Sequence, residues 1–226
     1  MSAPTPPRTG LTLFAHPFSS YCWKVLIPLY ADGTAFDYKN IDPAYPGVMD
    51  ELTAIWPIGK FPILVDEGET IAETTSIIEH LQACHPGPNR WIPDGAEGRR
   101  VRFLDRFFDQ YVMNAAQPSV THALRPEGHG DAFGAEQGIK LLRTAYDWLE
   151  ANLPDSEWAA GNNFTLADCA AAPALFYADW VDRIGDSRPR LNAYRARLLA
   201  HPPVARVVDE ARPYRPYFPL GAPNRD

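Results

Sequence analysis

"GKFPILVDEGETIAETTSIIEHLQAC", residues 59–84, is the stretch that decides the fold of this chain. Its first half predicts a β-hairpin, with strands over Pro62–Val65 and Thr70–Ala72 and a turn centred on Glu67–Gly68. Its second half predicts an amphipathic helix, because aliphatic residues recur there on one helical face: Ile77, Ile78 and Leu81. A hairpin that leads directly into a helix indicates a small sheet covered by helices, so the neighbouring segments should supply the remaining strands.

Two strand–helix repeats precede this hairpin. Leu11–His16 and Phe36–Ile41 are short strand candidates, and the segments that follow them, residues 21–33 and 47–55, have helical spacing. The predicted order of the first part is therefore strand, helix, strand, helix, strand, strand, helix, an α/β arrangement written βαβαββα.

Residues 86–94 divide the chain, because proline and glycine interrupt the periodicity there and predict a linker. Beyond this segment no strand pattern recurs. Long stretches such as "EGRRVRFLDRFFDQYVMNAA" have apolar residues at helical spacing instead. We therefore expect an α/β domain over residues 1–85, a linker over 86–94 and an all-α helical domain over 95–226.

The composition narrows the classes of function. The chain has 226 residues and a formal net charge of −7, which argues against nucleic acid or an anionic membrane as the main partner. The first ten residues, "MSAPTPPRTG", lack the apolar run of a signal peptide and are predicted to form a short disordered leader. The three cysteines show no disulfide or metal-ligand spacing, and the six histidines never form HxxH or HExxH. We expect a reducing, cytoplasmic location and no metal site.

The first candidate motif is "SSYC", residues 19–22, at the start of the first predicted helix. A helix N-terminus has free N–H groups and the positive end of the helix dipole, so it stabilises an anion. Ser19 or Ser20 either caps the helix or donates its hydroxyl to a substrate thiolate, which lowers the pKa of that thiol. The motif alone leaves both interpretations open.

The second motif is "GKFPIL", residues 59–64. It is consistent with a cis peptide at Phe61–Pro62, which would leave the N–H and C=O of Phe61 free to pair with an extended peptide ligand. A proline that only opens a strand explains the same residues.

The third motif is "ETT", residues 73–75, at the start of the helix that follows the hairpin. Thr74 or Thr75 could cap this helix, with Glu73 favouring its positive end. Alternatively, Glu73 and Thr74 bind the ammonium and carboxylate of an amino-acid headgroup at the helix N-terminus.

The fourth motif is "NFTLADCA", residues 163–170. Thr165 followed three residues later by Asp168 predicts a capping box, in which each residue satisfies a free backbone N–H of the other. This motif indicates a role in folding rather than in chemistry.

These four motifs, in this order, resemble the cytosolic glutathione transferase superfamily, and the resemblance extends over nearly the whole chain. It implies a thioredoxin-like fold for the first domain and glutathione as co-substrate. Ser19 stands where zeta- and theta-like members have their catalytic serine. The residues implied to bind glutathione are Ser20, Lys60, Phe61, Pro62, Glu73 and Thr74, the last two of which would hold its γ-glutamyl group.

Some positions depart from the family pattern. Phe61 stands where valine is common and Thr74 where serine is common, and Tyr21 and Cys22 lie within one helical turn of Ser19. The identity of the activating group among residues 19–22 is therefore open.

The resemblance implies an enzyme that activates the glutathione thiol for attack on a small hydrophobic electrophile. Tyr111, Val112 and Met113 are the candidate walls of the electrophile pocket, and Phe108 is expected to be plain core. The family also implies a homodimer without a metal cofactor. Two alternatives stay open: a glutathione-dependent isomerase or dehalogenase on the same scaffold, and a binding module without turnover.

Overall fold

The computed structural model of the chain describes residues 10–226, so the predicted disordered leader, apart from Gly10, lies outside the described residues. The first part contains these elements: β1 (Leu11–Ala15), α1 (Ser20–Asp32), β2 (Asp37–Asn40), α2 (Val48–Ile55), β3 (Ile63–Asp66), β4 (Glu69–Ala72) and α3 (Thr74–Cys84). The second part is helical: α4 (Gly95–Phe107), a π-helical segment (Phe108–Met113), α5 (Asn114–Leu124), α6 (Ala132–Asn152), α7 (Leu166–Val181), α8 (Pro189–Ala200), α9 (Pro202–Ala211) and a 3₁₀ segment (Arg212–Tyr217). Within the described residues, none of the helices is both long and apolar enough to cross a bilayer.

The four strands form one mixed sheet in the order β2-β1-β3-β4. β1 is parallel to β2 and antiparallel to β3, and β3 is antiparallel to β4. In the turn between β3 and β4, Glu67 has φ 48° and Gly68 has φ 91°, the left-handed conformation that two-residue hairpin turns favour. The predicted βαβαββα order is confirmed, as is the all-helical second part.

Helix α1 is buried over most of its length because it packs against other helices as well as against its own sheet. Its contacts include α3, α7 and α9. Trp23, which is fully buried, has its ring centroid 4.9 Å from that of Phe176 and 5.3 Å from that of Tyr177, both on α7. One hydrophobic cluster therefore includes residues from both parts of the chain.

The predicted linker is anchored to this cluster. The side chain of Trp91 is 2% exposed, and its Nε1–H donates to Asp32 Oδ2 at 2.8 Å, at the end of α1. Ile92 is also buried, and its N–H donates to Gln82 Oε1 at 2.8 Å. The division into domains over residues 1–85 and 95–226 stays a prediction. Because the two parts share one hydrophobic core, we expect each to depend on the other for stability.

The predicted capping box lies at the start of α7. Asp168 Oδ2 accepts the N–H of Thr165 at 2.9 Å, and Asp168 Oδ1 accepts the hydroxyl of Tyr194 at 2.7 Å and the N–H of Ala159 at 3.0 Å. Burial raises the pKa of the Asp168 carboxyl, and these hydrogen bonds oppose the shift. Asp168 thus joins three segments of the helical part.

A buried cation joins the two parts of the chain. Lys24 on α1 has 1% of its side chain exposed, and its Nζ lies 2.5 Å from Asp105 Oδ1 and 2.8 Å from Asp109 Oδ2. Thr75 on α3 completes the group, because its hydroxyl donates to Asp105 Oδ2 at 2.9 Å. Four elements, α1, α3, α4 and the π-helical segment, therefore meet at one ammonium group.

Replacing this cation should strongly destabilise the protein. Lys24→Ala leaves Asp105 and Asp109 buried without their counter-charge, so we expect the free energy of unfolding to fall by about 3–5 kcal/mol. Lys39→Ala is the matched control, because Lys39 pairs with Glu51 at 3.0 Å with 41% of its side chain exposed. The control should lose at most about 1 kcal/mol. Urea unfolding of both variants measures the difference, and equal losses would contradict the role given to Lys24.

Candidate functional site

Two adjacent cavities lie between the first part of the chain and the rod, the name used here for α4, the π-helical segment and α5 taken together. The first, here the α3 cavity, has a volume of about 530 Å³ and includes the first turn of α3 in its wall. The second, here the α5 cavity, has a volume of about 760 Å³ and runs along α5. Tyr21, Lys60 and Phe61 line both, so the two cavities share an edge.

The N-terminus of α1 lies at this shared edge. Ser19 is the N-cap residue, in extended conformation, and its Oγ accepts the N–H of Cys22 at 3.4 Å. Ser19 and Ser20 both line the α5 cavity. The cap bond uses an acceptor lone pair of the Ser19 hydroxyl and leaves its O–H as a donor. The two roles weighed for Ser19, helix cap and hydroxyl donor, are therefore compatible in one geometry.

Tyr21 and Cys22, the next two residues of this turn, differ in burial but are both weak acids here. Cys22 is fully buried, and burial raises the pKa of its thiol to about 12, a shift that hydrogen bonds with Ser19 and the backbone of His16 oppose. Burial, with smaller contributions from Asp109 and Glu73, raises the pKa of the Tyr21 phenol to about 12. At neutral pH both groups are protonated, so Cys22 is not a thiolate nucleophile and Tyr21 is a neutral donor.

The segment Lys60–Phe61–Pro62 forms the wall between the cavities. The Phe61–Pro62 peptide is cis, as the sequence suggested. Pairing of β3 with β1 begins at Ile63, opposite Phe14, so the backbone of Phe61 lies just outside the paired ladder. An extended ligand in the α3 cavity would run beside this backbone.

The start of α3 differs from the expected cap. Glu73, not Thr74 or Thr75, is the N-cap residue, and its side chain makes no capping hydrogen bond. Thr74 and Thr75 do not take the cap position because both lie inside the first turn of the helix, which begins at Thr74. Glu73 has φ 70°, a strained conformation for a non-glycine residue, of the kind that persists at ligand sites. The first-turn backbone of α3 thus lines the cavity without a side-chain cap, as a site for an anion requires.

The helical part contributes polar groups to the α3 cavity that sequence reasoning missed. Arg106, Asp109 and Gln110 line it opposite Glu73 and Thr74. Burial raises the pKa of the Asp109 carboxyl, and the Lys24 ammonium opposes that shift. Both halves of the chain therefore surround this cavity. The "GKFPIL" and "ETT" sides of it had a recognisable sequence signal, whereas the side formed by Arg106, Asp109 and Gln110 did not.

The predicted electrophile wall needs correction. Val112 is fully buried in the core, and Tyr111 packs on the ring of Phe107 at a centroid distance of 5.2 Å, so neither lines the α5 cavity. Met113 does line it. The physical reason is that Tyr111, Val112 and Met113 are consecutive, and successive residues on a helix do not face the same side. Phe108 is fully buried, as expected.

The observed wall follows one face of α5. Its members recur at helical spacing after Met113: Asn114, Ala116, Gln117, Val120, Thr121 and Leu124. This spacing was readable in the sequence, but the length of the π-helical turn was not. The opposite wall is mainly aromatic and comes from the loop before α1, from α7 and from residues 217–219: Phe18, Tyr177, Val181, Tyr217, Phe218 and Pro219.

A further polar cluster lies away from both cavities and was also missed. Asp66, at the end of β3, meets His80 and His85 at the far end of α3. A search for local histidine spacings could not find this group, because a strand end and a helix bring it together.

Two family profiles match the chain. Residues 13–89 match the glutathione S-transferase N-terminal domain, and residues 132–197 match the glutathione S-transferase C-terminal domain. Together the two matches span more than half of the chain.

Similar curated proteins have different names. A probable maleylacetoacetate isomerase of Caenorhabditis elegans is 25% identical over 202 residues, which covers 84% of this chain and 92% of that protein. The FtsZ-localized protein A of Caulobacter vibrioides is 31% identical over 139 residues, 58% of this chain and 61% of that protein.

Among solved structures, a glutathione S-transferase of Methylobacillus flagellatus with glutathione bound is similar in fold. It has a TM-score of 0.76 and 24% identity, and the match covers 87% of this chain and 98% of that one. At this level of identity the likeness concerns the fold.

Proposed function

This chain belongs to the glutathione S-transferase family, and from that premise we propose that it is a glutathione transferase that activates the glutathione thiol for attack on a small hydrophobic electrophile. One observation carries the proposal. A cavity suited to an extended anionic peptide meets a largely apolar cavity, and Ser19 lies beside their shared edge at the N-terminus of α1.

In the proposed complex, glutathione lies in the α3 cavity. Its γ-glutamyl ammonium pairs with the carboxylate of Glu73, and its γ-glutamyl carboxylate accepts N–H groups of the first turn of α3, near Thr74. The cysteinyl backbone runs beside Phe61 and Pro62, and Lys60 attracts the glycyl carboxylate. This orientation directs the thiol toward Ser19 and Ser20 at the edge of the α5 cavity.

Thiol activation then follows from hydrogen bonding and the helix dipole. The Ser19 hydroxyl donates to the sulfur, and the positive end of α1 favours its negative charge. Lowering the thiol pKa from about 8.5 toward 6–7 raises the thiolate fraction at neutral pH about tenfold or more. The thiolate attacks the electrophilic carbon, a C–S bond forms, the leaving group departs with its electron pair, and the thiol proton goes to solvent.

An isomerase is the second candidate, because the C. elegans relative named as a probable maleylacetoacetate isomerase is similar over most of its length. The lining of the α5 cavity favours conjugation of a neutral electrophile. Within the described residues, Lys60 is the one cationic side chain that lines this cavity, whereas a dicarboxylate substrate calls for more. A binding module without turnover is the third candidate, because one similar protein is named for its localization with FtsZ and not for an enzymatic activity.

The proposal includes a homodimer in a reducing cytoplasm. Cys22, Cys84 and Cys169 are free thiols, as such a compartment maintains. Phe103 leaves 44% of its surface exposed on α4 beside the charged Arg102, and a second copy of the chain would cover this apolar group.

Removing the Ser19 hydroxyl should change the pKa of the bound glutathione thiol more than the affinity for glutathione. We expect Ser19→Ala to raise the pKa of the thiol of bound glutathione and to slow conjugation of chlorodinitrobenzene at neutral pH about tenfold or more. The affinity for glutathione should change little, because the hydroxyl acts on the thiolate and not on the ends of the tripeptide. Titration of the thiolate absorbance of the bound complex measures the pKa.

Ser20→Ala and Cys22→Ala are the controls for this titration. A shift confined to either control would assign activation to that residue. If Ser19 were a cap only, its loss would cost about 1 kcal/mol of stability and leave the thiol pKa unchanged.

Glu73→Gln should weaken glutathione binding, because it replaces a charge-assisted hydrogen bond to the γ-glutamyl ammonium. Such a bond contributes about 1.5–3 kcal/mol, which corresponds to a tenfold to hundredfold change in Kd. Glu79→Gln is the control, because Glu79 is also on α3 but pairs with Arg102 at 3.2 Å on the surface. Calorimetry measures both affinities, and an unchanged Kd in Glu73→Gln would move the headgroup elsewhere.

Filling the α5 cavity should weaken the reaction with the electrophile without changing the binding of glutathione. Val120→Trp adds a bulky ring to its wall, so kcat/KM for chlorodinitrobenzene should fall about tenfold or more while the Kd of glutathione stays the same. Tyr111→Trp, on the same rod but outside the cavity, should leave both quantities near wild type. Equal kinetics in the two variants would exclude this wall from the electrophile site.

A further inference from the structure

Two imidazoles converge on one carboxylate oxygen where the end of β3 meets the end of α3. His80 Nε2 lies 2.8 Å, and His85 Nε2 2.7 Å, from the same Oδ2 atom of Asp66. Asp66 ends β3, His80 is in the last half of α3, and His85 is the C-cap residue of α3. The ligand atoms of all three residues lie within 4.8 Å of one another.

The group is held in place but reachable from solvent. The side chains of Asp66, His80 and His85 are 11%, 17% and 34% exposed, respectively. Their positions are set by regular structure, since Asp66 faces Glu69 across the hairpin and both histidines belong to the end of one helix. Little reorganisation is therefore needed to present three donor atoms to an ion.

Two imidazole nitrogens and one carboxylate oxygen form a donor set that selects for borderline metals. Calcium and magnesium prefer oxygen donors throughout, whereas zinc and its neighbours among the divalent first-row metals accept imidazole readily. We propose that Asp66, His80 and His85 bind one divalent ion of the zinc class, with solvent completing the coordination.

The contacts adapt to such an ion by a small movement. With metal–ligand bonds of about 2.1 Å, tetrahedral neighbours lie about 3.4 Å apart, so each Nε2–Oδ2 distance has to grow by about 0.6–0.7 Å. Each neutral imidazole then presents its Nε2 lone pair and carries its proton on Nδ1. For His80 a partner for that proton is already near, because Cys84 Sγ lies 3.9 Å from His80 Nδ1.

The site is structural and separate from the proposed chemistry. Thr74, in the wall of the α3 cavity, and His85 lie at opposite ends of α3, a helix about 16 Å long. An ion here would clamp the β3–β4 hairpin to the end of this helix without touching glutathione. The inference therefore stands or falls independently of the transferase activity.

Zinc and cobalt titrations of the full chain, prepared without a histidine tag, test the proposal. We expect calorimetry to show one Zn²⁺ per chain, thermal unfolding to shift upward with Zn²⁺, and Co²⁺ to give a d–d absorption band. His80→Gln and His85→Gln should each weaken Zn²⁺ binding about 100-fold or more and abolish the band. His129→Gln removes an exposed histidine outside the cluster and should bind as the wild type does.

Two outcomes would overturn the proposal: no Zn²⁺ binding by the folded wild type, or binding that survives both cluster substitutions unchanged. Circular dichroism checks that each variant is folded. If His80→Gln does not fold, His85→Gln decides the question, because His85 follows the last residue of α3 and its ring is the most exposed of the three.

Discussion

The ammonium group of Lys24 is the constraint on which the arrangement of the two halves depends. A charge with 1% of its side chain exposed is tolerated only where carboxylates surround it, and here Asp105 and Asp109 lie within hydrogen-bonding distance. The first half of the chain supplies the cation and the second half supplies both anions. If the halves packed in another register, the Lys24 ammonium and the two carboxylates would be buried without a partner. The apolar contacts of Trp23 with α7 also stabilise the packing of the two halves, because they bury apolar surface. The hydrophobic effect is not directional, however, so these contacts do not fix the register.

The same group determines what faces the α3 cavity. Asp109 and Thr75 contact Lys24 and also line the cavity, so the structural ion pair and the candidate ligand site share residues. Asp109 belongs to the π-helical segment, whose wider turn lies between two α-helical stretches of one rod. π-Helical turns are uncommon and are frequently found at functional sites. In this chain Asp109, near the start of the segment, contacts the buried cation, while Met113, at its end, and the following residues of α5 form the wall of the α5 cavity.

Local patterns were sufficient to predict the order of strands and helices along the first part of the chain and the helical second half. Alternation and turn residues identified the β3–β4 hairpin, and the Thr165–Asp168 spacing identified a capping box whose bonds are formed within four residues. The failures have a different physical origin. Tyr111 and Val112 were misplaced because they directly precede Met113, and successive residues on a helix do not face the same side. The cap of α3 was misassigned because the helix begins at Thr74, one residue earlier than capping by Thr74 would need. The cluster of Asp66, His80 and His85 was missed because a strand end and a helix bring it together. Contacts between distant segments leave no local pattern to read.

The residue types around the start of α1 explain why this site suits a bound thiol rather than a protein thiol. A cysteine at the N-cap position would have the helix dipole and solvent access that generate a reactive thiolate. The chain has serine at that position, and its cysteine stands three residues later, where burial raises the thiol pKa to about 12. Among the residues that the structure describes, none places a cysteine thiolate at the shared edge, which has a hydroxyl donor and a helix N-terminus instead. A site that stabilises a thiolate without containing one is consistent with a thiol that arrives on a co-substrate, and in the proposed complex that thiol belongs to glutathione.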